Sequence, residues 1–239
     1  MTPLDEKTFE ALQDEWSHVL ELHKAARRKR IHARVIQWET RLSELKDEQK
    51  RLINSGRWVR GPADILSVIG KARRELYHSA ILRWLLDPLS PHGLGIKFLR
   101  GFLQAAKLPP LVTKLAPEDI LSIETEVARV EARADIVIST VSGLIIIENK
   151  IDASEGDNQC QRLFEAFRRE NAWFIFLTSN GRTPSSAPAC VRAHFRPISY
   201  RQIQRLLMAA LESSPQGNPD APGRASARSY LATLQKEVL

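Results

Sequence analysis

Residues Ala134–Lys150 read ADIVISTVSGLIIIENK. Two runs rich in β-branched residues flank Ser142-Gly143, a pair suited to a tight hairpin turn. With that pair as a two-residue turn, Val141 faces Leu144, Val137 faces Glu148 and Asp135 faces Lys150. Side chains alternate along a strand, so Glu148 and Lys150 share a face, and the register puts Asp135 on the same one. Opposed Cβ atoms in a sheet lie about 5 Å apart and diagonal ones about 7–8 Å. The carboxylates of Asp135 and Glu148 are therefore expected within reach of a single cation. A three-residue turn would change the cross-strand partners but leave Glu148 and Lys150 on one face.

Two crowded carboxylates raise each other's pKa. A hard divalent cation removes the repulsion, and oxygen donors suit Mg²⁺ or Mn²⁺ rather than zinc. Such an ion polarises a phosphoryl oxygen and lowers the pKa of bound water. Lys150 is then placed to orient the attacking water and offset charge in the transition state. That chemistry fits phosphodiester hydrolysis. The spacing alone equally allows a structural ion pair in which Lys150 neutralises Asp135. Leu144–Ile147 is apolar on both faces, which predicts a central, covered strand. A charged cluster ending such a strand is less ordinary than one on an open edge.

Working outward, strands are expected at Ser122–Arg129, Ala172–Thr178 and His194–Ile198. Glu124 and Glu126 share a face of the first. Pro62 fits the first turn of a short helix ending at Gly70, and a longer helix runs from Arg73 to Leu86 with Leu76, Ala80, Leu82, Leu85 and Leu86 inward. Asp87-Pro88 stops it. Further helices are expected at Ile96–Ala106, from an Asp157 N-cap onward with Cys160, Leu163, Phe164 and Phe167 buried, and at Ser199–Leu211. The organisation reads as an N-terminal helical extension (1–60), an α/β core (61–212), a linker rich in Ser, Pro and Gly (213–226) and a last helix (227–239). His78, on the helix before the strands, could contact phosphate or hydrogen-bond inside the fold.

In the extension, Ile31, Val35, Trp38, Leu42, Leu45, Gln49 and Leu52 form a heptad seam with one polar interruption. Phe9, Leu12, Trp16, Val19, His23 and Ala26 form a second seam, out of phase across Arg27–Arg30. Either the helix breaks there into an antiparallel hairpin or it continues with a register shift. The extension packs on its own core or makes a homo-oligomer, two open alternatives. The run Lys24, Arg27, Arg28, Lys29, Arg30 and Arg34 is a solvated face or a phosphate contact.

The chain has 239 residues, enough for one α/β domain with an accessory element. Hydrophobic residues make up 43%, which excludes global disorder, and no apolar run approaches a membrane span. The N-terminus is acidic and lacks the apolar stretch of a signal peptide. Cys160 and Cys190 have no metal-binding spacing, and two thiols in so long a chain point to a reducing cytoplasm. A net charge of +7 is consistent with a polyanionic partner without proving one.

Asp135, a gap of twelve residues and Glu148-Asn149-Lys150 resemble the PD-(D/E)XK nuclease signature. Glu124-Thr125-Glu126-Val127, Arg133-Ala134-Asp135-Ile136 and Ile147–Asp152 resemble a bacterial branch of that superfamily, as do Glu75–Ser79, Ile81–Pro88, His92–Gly95 and Asp157-Asn158-Gln159. The likeness spans about Ala63 to Tyr200, and Ala134 stands where the signature has proline. It implies a restriction-endonuclease-like α/β core, a mixed central sheet flanked by helices. It implies a Mg²⁺- or Mn²⁺-dependent nuclease acting on nucleic acid, most simply DNA, in phage defence or DNA processing. Asp135 and Glu148 would be metal ligands and Lys150 the catalytic partner. The Asn149 carbonyl would add a third oxygen. Glu75, otherwise an acid favoured by a helix N-terminus, would extend the metal site, and Gln159, otherwise solvent-facing, would reach back to it. Arg133, Arg162 and His78 would meet the nucleic acid. The other function class is a nucleic-acid-binding or assembly module on the same fold without turnover.

Overall fold

The hairpin stands at the centre of a five-stranded sheet. Strands β1 (Ile120–Arg129), β2 (Ala132–Thr140), β3 (Gly143–Lys150), β4 (Ala172–Thr178) and β5 (Phe195–Ser199) lie side by side in chain order. The first three form an antiparallel meander, and β3, β4 and β5 are parallel, so the sheet is mixed. This is a computed structural model, describing residues 6–57, 61, 64–212 and 222–238. Residues 1–61 and 62–239 form two separate compact units.

Strand alternation sorts the second unit into two cores. Ile145 and Ile147 join Ile136, Ile138, Ile175 and Leu177 on one side. That side is covered by helices α3 (Glu75–Leu86), α4 (Ile96–Ala105), α8 (Tyr200–Glu212) and α9 (Arg224–Thr233), with short α2 (Ile65–Val68) and α5 (Pro110–Thr113) beside them. On the other side Ile146, Val137, Phe174 and Phe176 pack against Cys160, Leu163 and Phe167 of α6 (Gln159–Phe167), near short α7 (Ala189–Arg192). Helices on both faces explain why β3 is apolar on both. Each of its buried isoleucines contributes about 1.5–3 kcal/mol.

The turn differs from the sequence expectation. Thr140 faces Gly143, so Val141-Ser142 make the turn and the pairing moves by two residues. Thr140 Oγ1 closes it, accepting from Ser142 N at 3.1 Å and donating to Gly143 O at 2.8 Å. Gly143 belongs to β3 for a packing reason. Its φ is +136°, and a Cβ there would meet the Asn171 carbonyl oxygen at 2.2 Å. A shift of two keeps every side chain on its face.

Other boundaries also move. Leu76 and Ala80 are exposed, and the buried stripe of α3 is His78, Ser79, Leu82, Leu85 and Leu86. Helix α6 is preceded by Asn158 in the left-handed region, not by an Asp157 cap. Asp64 caps α2, accepting from Ser67 N at 2.9 Å. The helix start expected at Pro62 lies outside the described residues. Helix α9 begins at Arg224, inside the stretch expected as linker, and buries Ala227 and Tyr230. Its entry is fixed at Gly223, where a Cβ would lie 2.6 Å from the Pro91 carbonyl oxygen that accepts the Gly223 N–H. Linker residues 213–221 lie outside the described set.

The first unit is α1, one uninterrupted helix over Glu6–Asn54, so the hairpin alternative is not formed. Its seam side chains are exposed as far as Leu45, Trp16 at 68% and Trp38 at 70%, while Gln49 and Leu52 are half-buried. No helix among the described residues is long and apolar enough to cross a membrane.

Candidate active site

The β2–β3 ladder ends at the Ile136–Ile147 pair, while β3 runs on beside β4 to Lys150. At that divergence the Asp135 carboxylate replaces a rung, with Oδ2 accepting from Asn149 N at 2.7 Å. Continuing the register places Asp135 opposite Glu148, in place of the expected Val137. On the same face, Glu148 Oε1 accepts from Gln159 Nε2 at 2.6 Å and pairs with Lys150 Nζ at 2.9 Å. Glu148 is fully buried, and its Oε2 has no hydrogen-bond partner.

The electrostatics follow from this crowding. Burial pushes Glu148 up to about 8, Asp135 adds to the rise, and Lys150 only partly offsets it. Burial likewise pushes Asp135 up to about 6 against the Asn149 N–H and Lys150, with Glu126 and Glu75 adding to the rise. Burial pulls Lys150 down, but Glu148, Asp135 and Glu75 outweigh it and hold the ammonium above its usual value. Lys150 contacts Glu148 and, at 3.8 Å, Glu75 Oε2. The simple Lys150–Asp135 ion pair is not among its salt bridges.

The supporting side chains are tied to backbone. Gln159, in the first turn of α6, also accepts from Gly156 N through Oε1 at 3.0 Å. Glu75 Oε1 accepts from Ile151 N at 2.7 Å and Ala153 N at 3.2 Å, fixing the segment that follows β3. Its Oε2 remains turned to Lys150. A cleft of about 580 Å³ opens over this cluster, bordered by Glu75, Glu126, Arg133, Asp135, Lys150 and Arg162. Arg133 Nη1 pairs with Glu126 Oε2 at 2.9 Å. Glu126 has φ +58°, a strained conformation for a non-glycine residue, at the position opposite Asp135. Arg162 holds the carbonyls of Glu131 (3.0 Å) and Asp157, so the cleft wall uses its guanidinium.

Of the expected site residues, His78 has another job, and the Asn149 side chain, as distinct from its backbone carbonyl, has one too. His78 is fully buried, its Nδ1 2.8 Å from Tyr230 Oη and its Nε2 2.8 Å from the Ala72 carbonyl, out of reach of any phosphate. The Asn149 side chain points away from the cleft. Its Oδ1 accepts from Tyr200 Oη at 2.8 Å, and its Nδ2 donates to Ser79 Oγ at 3.1 Å and Glu75 O at 3.3 Å. The basic run Lys24–Arg34 is exposed on α1, in the other unit.

Sequence reasoning passed over several positioning residues. Tyr200, Tyr230 and Ser79 form the polar floor beneath Asn149, and nothing local marks them, since partners lie 51 to 152 residues apart. Glu155, with a side chain 2% exposed, accepts from Ser185 N and Ser186 N and pairs with Arg182, pinning the loop after β4. Burial opposes its ionisation, but these donors outweigh it and hold Glu155 down at about 2. Burial pushes the Cys160 thiol up to about 12, so it serves as core and not as nucleophile.

The donor set fits a hard divalent cation. Two carboxylates with raised pKa values and one orphaned buried oxygen call for positive charge. Among the described residues no group of three His, Cys, Asp or Glu side chains is placed to hold a metal ion, which leaves the pair Asp135 and Glu148. Few protein ligands with retained waters is how Mg²⁺ binds. A family model described as the PD-(D/E)XK nuclease superfamily matches residues 63–230. No curated protein and no solved structure matches the chain.

Proposed function

The chain belongs to the PD-(D/E)XK nuclease superfamily, whose nucleases generally use divalent metals, and from that premise we propose that it is a Mg²⁺-dependent nuclease cleaving phosphodiester bonds in DNA. The observation that carries this is Glu148 Oε2, buried and unpartnered beside Asp135, while Oε1 is held by Gln159 and Lys150. A cation seated between Asp135 and Glu148 would supply Lewis acidity and a bound water of lowered pKa.

The chain's own residues do the rest. Asp135 is anchored by the Asn149 N–H, so one carboxylate oxygen is fixed by backbone and the other is left for a ligand. Gln159 holds Glu148 in one rotamer. Lys150, kept cationic by three carboxylates, faces the phosphate position, orients the nucleophilic water and offsets developing charge. Arg133 and Arg162 border the cleft where the phosphate backbone would run. Both cysteines are free, in keeping with a reducing compartment, and we place the protein in the cytoplasm. A role in phage defence or DNA processing follows the family's habit, and phage plating on cells with and without the gene tests it.

The direct test is nicking of supercoiled plasmid by purified protein with Mg²⁺, Mn²⁺ or EDTA. Cleavage should need the metal and vanish in a Glu148→Ala, Lys150→Ala double variant. Cleavage that survives in the double variant refutes the assignment.

A further inference from the structure

Helix α1 presents an apolar seam to solvent. Over its second half Ile31, Val35, Trp38, Leu42 and Leu45 are each 46–70% exposed, and they recur at heptad spacing with Gln49 and Leu52. We propose that this seam pairs with a second copy of the chain as a short antiparallel coiled coil, with Leu42 of one copy facing Leu45 of the other.

The flanking charges select this arrangement. With Val35, Leu42 and Gln49 at a positions and Trp38, Leu45 and Leu52 at d, the e positions are Glu39 and Lys46 and the g positions Arg34, Arg41 and Glu48. In a parallel pair g meets the next e of the partner, which sets Arg41 against Lys46 twice and Arg34 against Glu39 twice, two repulsions offset by two attractions. A parallel register therefore gains no net attraction from its flanks and keeps only the mutual pairing of Gln49. In an antiparallel pair g meets g and e meets e. With Leu42 opposite Leu45, Arg41 meets Glu48 twice and Glu39 meets Lys46 twice, all four attractive. A slip of one heptad one way sets Arg41 against Arg41 and Glu39 against Glu39, offset by Arg34 against Glu48 twice, and the other way sets Glu48 against Glu48 and Lys46 against Lys46. One orientation and one register therefore make all four of these flanking pairs attractive, with Gln49 facing Trp38 in the seam.

The side chains are free to make these pairs. Among the described residues, Arg41 pairs with Glu44 at 3.2 Å and Glu48 with Arg51 at 3.7 Å, both exposed i,i+3 pairs that bind weakly. The overlap runs from about residue 33 to the helix end at Asn54, some three heptads. So short an overlap makes a small interface beside the roughly 800 Å² per partner of a standard one, and association should depend on concentration.

Sedimentation equilibrium of the full chain tests the pairing. The mass should move from 27.1 kDa toward twice that value as concentration rises into the tens of micromolar, an order-of-magnitude expectation for a small interface. R41E should weaken dimerisation about three- to tenfold, and so should E48R, because each creates two like-charge contacts. The double variant R41E/E48R should restore the parent affinity. A monomer at every concentration overturns the proposal. So does R41E tightening the dimer, since in a parallel pair it would turn Arg41–Lys46 repulsion into attraction. Failure of the double variant to restore affinity overturns the register.

Discussion

Strand β3 carries two opposite polar arrangements on its two faces, one residue apart. Toward α6, Glu148 is buried with one oxygen unpartnered beside a second carboxylate. Toward α3, α8 and α9, Asn149 is equally buried, yet its oxygen and nitrogen are both taken, by Tyr200, Ser79 and Glu75. Both residues sit in the same strand and at the same depth. An apolar environment tolerates the second arrangement because it is complete. The first leaves a buried acceptor that a cation from outside the chain could complete. The contrast separates a floor built for rigidity from a site built for a ligand.

The sharpest way to break this comparison is at Glu148. Glu148→Gln should cut metal-dependent cleavage about 10²–10³-fold while leaving the metal-free melting temperature unchanged or raised. A cleaving or strongly destabilised E148Q protein would make Glu148 part of the floor. Gln159→Ala removes a support of the ligand rather than the ligand, and a loss of about 10–100-fold in activity or metal affinity is expected. On the other face, Asn149→Ala should cost about 1–3 kcal/mol in urea unfolding, because Tyr200 Oη and Ser79 Oγ are left without their partner. An undiminished unfolding free energy would mean the floor is not rigid after all.

The smallest effect expected is on pH, and here the faces have opposite signs. Asp135 and Glu148 hold protons that the unfolded chain has released, so the metal-free protein should lose stability as pH rises from about 4 through about 6 and on to about 8. His78 is held neutral by burial, below its usual value, so it costs stability as pH falls through the range where the unfolded chain takes up a proton. Added Mg²⁺ should recover the first loss and not the second. Melting temperatures with and without the ion at pH 5.5 and pH 8 measure this. A metal gain no larger at pH 8 than at pH 5.5 would contradict the raised carboxylates.

The candidate catalytic face was largely legible in the sequence, and its opposite was not. Strand alternation put Asp135, Glu148 and Lys150 together even though the turn was placed at Ser142-Gly143. Parity survives a shift of two, so the error moved partners without moving faces. Gly143 misled because it serves the close approach of Asn171 O, which no local pattern records. Leu76 looked like core by helical spacing but lies exposed beside the cleft, since burial there falls on the polar pair His78 and Ser79. The Tyr200–Asn149 and Tyr230–His78 contacts join segments far apart in the chain, and only the folded arrangement reveals them.

Tyr230 also sets an order in time. The residues that would carry the chemistry, Glu75 to Gln159, leave the ribosome well before α9, which brings Tyr230 to His78. At about 5–20 residues per second that interval lasts on the order of several seconds. Throughout it a nascent chain carries the carboxylates without the finished floor beneath Asn149. The polar floor beneath Asn149 is thus completed only after the strands that carry the carboxylates have been made.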